Sequence, residues 1–117
     1  MKAAQPTVEA HFAKCDLELR DIFSRLIATV EKFGSVTVEA KKTSIHLCNK
    51  TAFAGIRVMS KCIALTIKSD KDLEHPRITK HEQTSAHRWH LDVKLHSTKD
   101  LDKELVKWLR HAYDLSA

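Results

Sequence analysis

The chain has 117 residues, 43% of them hydrophobic and 30% charged, with only 2 glycines and 2 prolines. This length suits one domain, spanning 1–117, with a core of its own, and the composition excludes collagen-like, linker-like and disordered chains. A net charge of +5 favours an anionic partner: nucleic acid, a phosphate-bearing ligand or an acidic protein.

The opening MKAAQPTVEAHFAKCD has no apolar stretch of the kind a signal peptide needs, and no run able to span a membrane follows. A cytoplasmic protein without a membrane partner is therefore expected. Cys15, Cys48 and Cys62 form no CxxC pair, and an odd count fits reduced thiols better than a disulfide framework.

In chain order, a short helical turn is predicted over 8–13. Residues 16–33 then carry Leu19, Ile22, Phe23, Leu26, Ile27, Val30 and Phe33 at helical spacing. Asp16 is placed to cap this helix and Gly34 to end it. From 35 to 68 the period changes to two. SVTVEA turns Val36 and Val38 one way and Thr37 and Glu39 the other. TSIHLC turns Ile45 and Leu47 inward and Ser44, His46 and Cys48 outward. AGIRVM buries Ile56 and Val58 and exposes Arg57, with Gly55 as a bulge position. CIALTIK buries Ile63, Leu65 and Ile67 and turns Cys62, Ala64, Thr66 and Lys68 outward. Residues 69–87 read as a long polar loop, a length often reserved for function. RWHLDVKL is the next strand, with Trp89, Leu91, Val93 and Leu95 inward and Arg88, His90, Asp92 and Lys94 outward. A final helix over 99–115 presents Leu101, Leu105, Trp108, Leu109 and Ala112, with Ser97 or Thr98 as its cap.

These elements predict an α+β fold. It is a two-layer sandwich in which an about five-stranded, mainly antiparallel sheet carries the N- and C-terminal helices on one face. The other face then bears Ser44, His46, Arg57, Thr66, Lys68, Arg88, His90 and Asp92, with Arg77, Lys80 and Glu82 arriving from the loop. Arginine recognises phosphate and carboxylate in a bidentate manner, and histidine exchanges protons near neutral pH. The face is a platform for an anionic small molecule or for nucleic acid. The competing readings are a solvated sheet surface and a homodimer interface.

The stretch HPRITKHEQTSAHRWH, at 75–90, invites comparison with metal and catalytic motifs. His81-Glu82 is not a zinc-protease HExxH, because the next histidine is His87 and a helix would not bring both to one ion. His46, Cys48, Cys62 and His90 have zinc-type chemistry, but adjacent outward positions on one strand splay apart, so no metal is expected. No P-loop, GxGxxG or kinase-type set occurs, and no cofactor is expected. An acid–base or metal-assisted enzyme using His46, Glu82 and His90 is an alternative, as is a thiol nucleophile at Cys48 or Cys62. The absence of aromatic residues on the outer face weighs against stacking of single-stranded bases.

Three runs, KKTSIHL, FAGIRVMSKCIALTIKSD and PRITKHEQTSAHRWHLDVKLHSTKDLDKELVKWLRHAYDLS, make the chain resemble a bacterial family of unknown function. Its members often open with TVEAHF-like residues, here Thr7 to Phe12. Some are fused to restriction-endonuclease-like modules or labelled "predicted transport protein". A weaker resemblance is to YjbR-like proteins, which share the HW-containing strand start and the terminal helix ending in a tyrosine. The family resemblance implies a two-layer α+β domain. It points to Lys42, His46, Arg77, Lys80, Glu82, Ser85, Arg88 and His90 as the ligand-binding positions. The leading expectation is a non-enzymatic module in which Arg77, Lys80 and Arg88 hold an anion and Glu82 orients one of these cations.

Overall fold

The computed structural model describes residues 7–12 and 17–116. It is an α+β fold, with elements in the order α1 (Val8–His11), α2 (Leu17–Glu31), β1 (Thr37–Ala40), β2 (Ile45–Cys48), β3 (Ala52–Val58), β4 (Ile63–Ser69), β5 (Ile78–Ser85), β6 (Arg88–Leu95), a 3-10 turn (Thr98–Asp100) and α3 (Lys103–Leu115). The six strands are ordered β1-β2-β3-β4-β6-β5, and every neighbouring pair is antiparallel.

Register explains why one face is dry. Ile45 pairs with Ile56, Ile56 with Leu65, Leu65 with Val93 and Val93 with Ile78. Residues paired across antiparallel strands point to the same face. The sequence alternation thus becomes a continuous aliphatic row across five strands. All five side chains are buried, as are Leu19, Ile22, Phe23, Leu26 and Val30 of α2 and Leu105, Leu109, Ala112 and Tyr113 of α3. Burying each large aliphatic side chain stabilises the fold by about 1.5–3 kcal/mol, an upper estimate because the unfolded chain is itself partly compact. Trp89 and Trp108 are half-buried against this core rather than enclosed by it.

The structure corrects four local expectations. The predicted loop over 69–87 contains β5, so the sheet has six strands rather than five. In β5 only Ile78 is buried and the residues after it are exposed. An edge strand has one neighbour and can stay polar, so it lacks the alternation that marks inner strands. Gly55 is not a bulge: it sits in straight register between His46 and Thr66. The irregularity lies next to it, where Leu47 pairs with Ala54 but Cys48 with Ala52. The extra residue, Phe53, is 1% exposed and packs edge-on against Tyr113, with ring centroids 5.3 Å apart.

The last helix begins at Lys103, later than its hydrophobic period implies. Asp102 is its cap, accepting from the Leu105 N–H at 3.0 Å. Ser97 instead caps the 3-10 turn, where Asp100 Oδ2 accepts from the N–H groups of His96 at 2.7 Å and Ser97 at 3.2 Å. The expected Asp16 cap lies outside the described residues. Past α2, Gly34 has φ 148°, a conformation that glycine adopts without the strain imposed by a side chain.

Candidate functional site

The second face of the sheet carries a polar row in the same register. Glu39 pairs with His46, His46 with Gly55, Gly55 with Thr66, Thr66 with Asp92 and Asp92 with Lys80. A neighbouring row joins Lys68, His90 and Glu82. No described helix covers this side, and it holds a depression of about 300 Å3 whose lining includes Ser44, His46, Gly55, Arg57, Thr66, Lys68 and His90. The depression exists partly because residue 55 has no side chain. A Cβ there would reach within 3.8 Å of the His46 ring and 4.0 Å of Thr66.

The polar groups are individually placed. Ser44 Oγ lies 3.2 Å from His46 Nε2, and Thr66 Oγ1 donates to Asp92 Oδ1 at 2.7 Å. Lys68 Nζ donates to Thr51 Oγ1 at 3.1 Å and to Ser116 Oγ at 2.9 Å, tying the centre of the sheet to the end of α3. Burial and the Arg88 guanidinium push the Lys68 ammonium below the usual lysine value. Two cations are therefore crowded together at this edge of the depression, while its lining contains no carboxylate. The nearest acids are already engaged, two of them with lining residues: Asp92 with Thr66, Glu82 with His90 at 4.0 Å, and Glu39 with Lys41 at 3.3 Å.

Of the positions singled out from sequence, His46, Arg88 and His90 belong to this face, with Lys80 and Glu82 on its exposed β5 margin. Glu82 lies across from His90 rather than beside an arginine or lysine, so the orienting role expected for it takes a different partner. At 4.0 Å that contact across the ladder is too long for a hydrogen bond. Ser85 pairs with Arg88 at the β5–β6 connection. Lys42 is exposed in the β1–β2 turn, away from the depression.

Arg77 does not converge with the others. Its Nη1 donates to both Asp102 carboxylate oxygens, at 2.9 and 3.0 Å, and its Nη2 to the Asp100 carbonyl at 2.6 Å. It therefore clamps the start of α3. His75 is half-buried edge-on against Trp108, while His81 and His87 are exposed. Lys68 and Arg57 are the cationic members of the site that the eight chosen positions omit. The alternation marked both as outward, but it did not reveal that a glycine opens space between them.

The thiols do not resemble nucleophiles. Burial, reinforced by the negative charge of Glu39, pushes the Cys48 thiol up, whereas thiol chemistry requires the thiolate. Cys62 is buried and its Sγ donates to Met59 Sδ at 3.9 Å. Among the described residues, no group of three or more His, Cys, Asp or Glu side chains is gathered as for a metal ion, and no helix is long and apolar enough to cross a membrane.

Fold and site together define a two-layer α+β domain with an open, cation-bearing sheet face. The chain belongs to a family described as a domain of unknown function (DUF5655), whose model matches residues 8–116. Comparison with curated proteins gives no match, and neither does comparison with solved structures.

Proposed function

We propose that this domain is a non-enzymatic binding module whose open sheet face takes a small anion, a phosphate or carboxylate group, in the depression above Gly55. One observation carries this reading: Arg57, Lys68, His46 and His90 line the depression and no carboxylate does. Arg57, Lys68 and Arg88 make no ion pair among the described residues. Crowded, partly desolvated cations gain most from an added negative group, because each charge-assisted hydrogen bond contributes more than a neutral one. A small anion is favoured over single-stranded nucleic acid because Phe53, the one phenylalanine, tyrosine or tryptophan in the lining, is only 1% exposed and presents no ring face for a base to stack on.

The test is a titration of the intact chain, followed by amide resonances, with inorganic phosphate, pyrophosphate and a short single-stranded DNA. Phosphate or pyrophosphate is expected to shift His46, Gly55 and Thr66 saturably. Arg57→Ala with Arg88→Ala should weaken binding at least about tenfold, the loss expected for charged hydrogen bonds. Binding of the DNA alone, with affinity falling steeply as log salt rises, would replace the small anion with a polyanion. Absence of any shift at millimolar concentrations would end the reading.

A further inference from the structure

A second cavity lies on the opposite side of the sheet, between the sheet and α3. Ile67 of β4, Leu91 and Val93 of β6, Trp108 of α3 and Leu73 of the β4–β5 connection form its walls, and its volume is about 340 Å3. That volume is at the lower end for small-molecule sites, which are mostly apolar with a few placed polar groups. Water gains little there, because an apolar wall offers it no hydrogen bonds.

The lining carries three lysines, Lys68, Lys71 and Lys107, against one carboxylate, Glu104. Lys71 and Lys107 make no ion pair among the described residues. The nearby acids are already engaged. Glu104 Oε1 is 2.7 Å from His75 Nε2, and Asp70 Oδ1 is 3.0 Å from His111 Nε2. The His75 pairing is fixed by its other ring nitrogen: Nδ1 accepts the Arg77 backbone N–H at 3.2 Å, so Nε2 carries the proton donated to Glu104. These two contacts staple the β4–β5 connection to α3 on either side of Leu73, holding the cleft open with its lysines unneutralised.

We propose that this cleft binds a small amphipathic anion, an alkyl or aryl carboxylate. The apolar body lies against Ile67, Leu91 and Trp108, and the carboxylate reaches the rim at Lys71 and Lys107. Charge complementarity selects an anion over a neutral apolar molecule, and the apolar walls select it over inorganic phosphate. Lys68 also lines the depression on the open face, and the two sites have no other lining residue in common.

Octanoate, kept below its micelle concentration, and 1-octanol as its uncharged counterpart are the probes, titrated into the full chain. Octanoate is expected to move the methyl resonances of Leu73, Leu91 and Val93 and the indole N–H of Trp108 saturably. The exposed double variant Lys71→Glu with Lys107→Glu should weaken octanoate by about fivefold or more, on the scale of two solvent-exposed ion pairs, and leave octanol unchanged. Arg57→Ala, on the open face, should leave octanoate binding intact. Three results would overturn the proposal: no saturable shift, equal affinity for the acid and the alcohol, or shifts confined to Gly55 and Thr66.

Discussion

Asp102 serves two structures at once. Its carboxylate accepts the Leu105 N–H that opens α3 and, on both oxygens, the Arg77 Nη1 group from just before β5. The Leu105 N–H, with the Arg77 guanidinium adding to it, holds the Asp102 carboxyl below its ordinary value. A depressed folded-state pKa means stability present above the unfolded value and lost as pH falls through the folded one. Asp102→Ala should therefore cost about 1–2 kcal/mol at neutral pH, the range for a lost cap. Asp102→Asn, which keeps a cap acceptor but not the ion pair, should fall between. Urea unfolding at pH 7 and again below the ordinary carboxylate pKa of ~3.9 checks this, because the gap between wild type and Asp102→Ala should narrow in acid. Other residues were only partly legible. Gly34 announced the end of α2, but not that a methyl group there would collide with the Tyr113 hydroxyl, which donates to the Ser35 carbonyl at 3.0 Å. Arg77 read as an anion ligand because one sequence cannot show that two aspartates already hold it.

At the scale of elements, the legible strands were those whose environment forces a pattern. β2, β3, β4 and β6 each bury alternate aliphatic residues, and their alternation assigned the faces correctly. β5 buries Ile78 and then turns TKHEQTS to solvent, so nothing in its sequence distinguishes it from a loop. It pairs with β6 alone, leaving its outer backbone edge open and its ladder shallow. Local opening costs least where few buried contacts are lost. In native-state hydrogen exchange, the β6-facing amides of β5 should exchange at least about tenfold faster than the amides of β4, which lies between two strands and carries five buried residues. Equal protection of the two strands would mean that β5 opens only with the whole sheet. Helix boundaries follow the same logic. The apolar stripe located α3, but the Asp102 cap and the separate 3-10 turn set its start.

At the scale of the whole molecule, the two candidate sites lie on opposite sides of one sheet and differ in chemistry for that reason. The face under α2 and α3 is apolar, and where α3 leaves it uncovered an apolar cleft with lysines at its mouth remains. The uncovered face is polar, and its depression is lined by cations. A ligand that binds only the folded state stabilises it by mass action, by about 2.7 kcal/mol at a hundredfold excess over its Kd. Phosphate or pyrophosphate should therefore raise the thermal midpoint in a concentration-dependent way. The Arg57→Ala, Arg88→Ala variant should lose that rise, whereas Lys71→Glu, Lys107→Glu should keep it. Calorimetric scans at matched ionic strength separate this effect from general screening.

By itself the sequence determined the fold class, the two main helices, five of the six strands and which of their residues face away from the core. Those features follow from local periodicity, because a side chain's direction in a strand or helix is set by its own backbone. Only the tertiary structure decided the rest: the β6–β5 hairpin, the diversion of Arg77 to α3, the space above Gly55 and the cleft beside Trp108. Each depends on which residues far apart in the chain become neighbours, and strand order and register fix that.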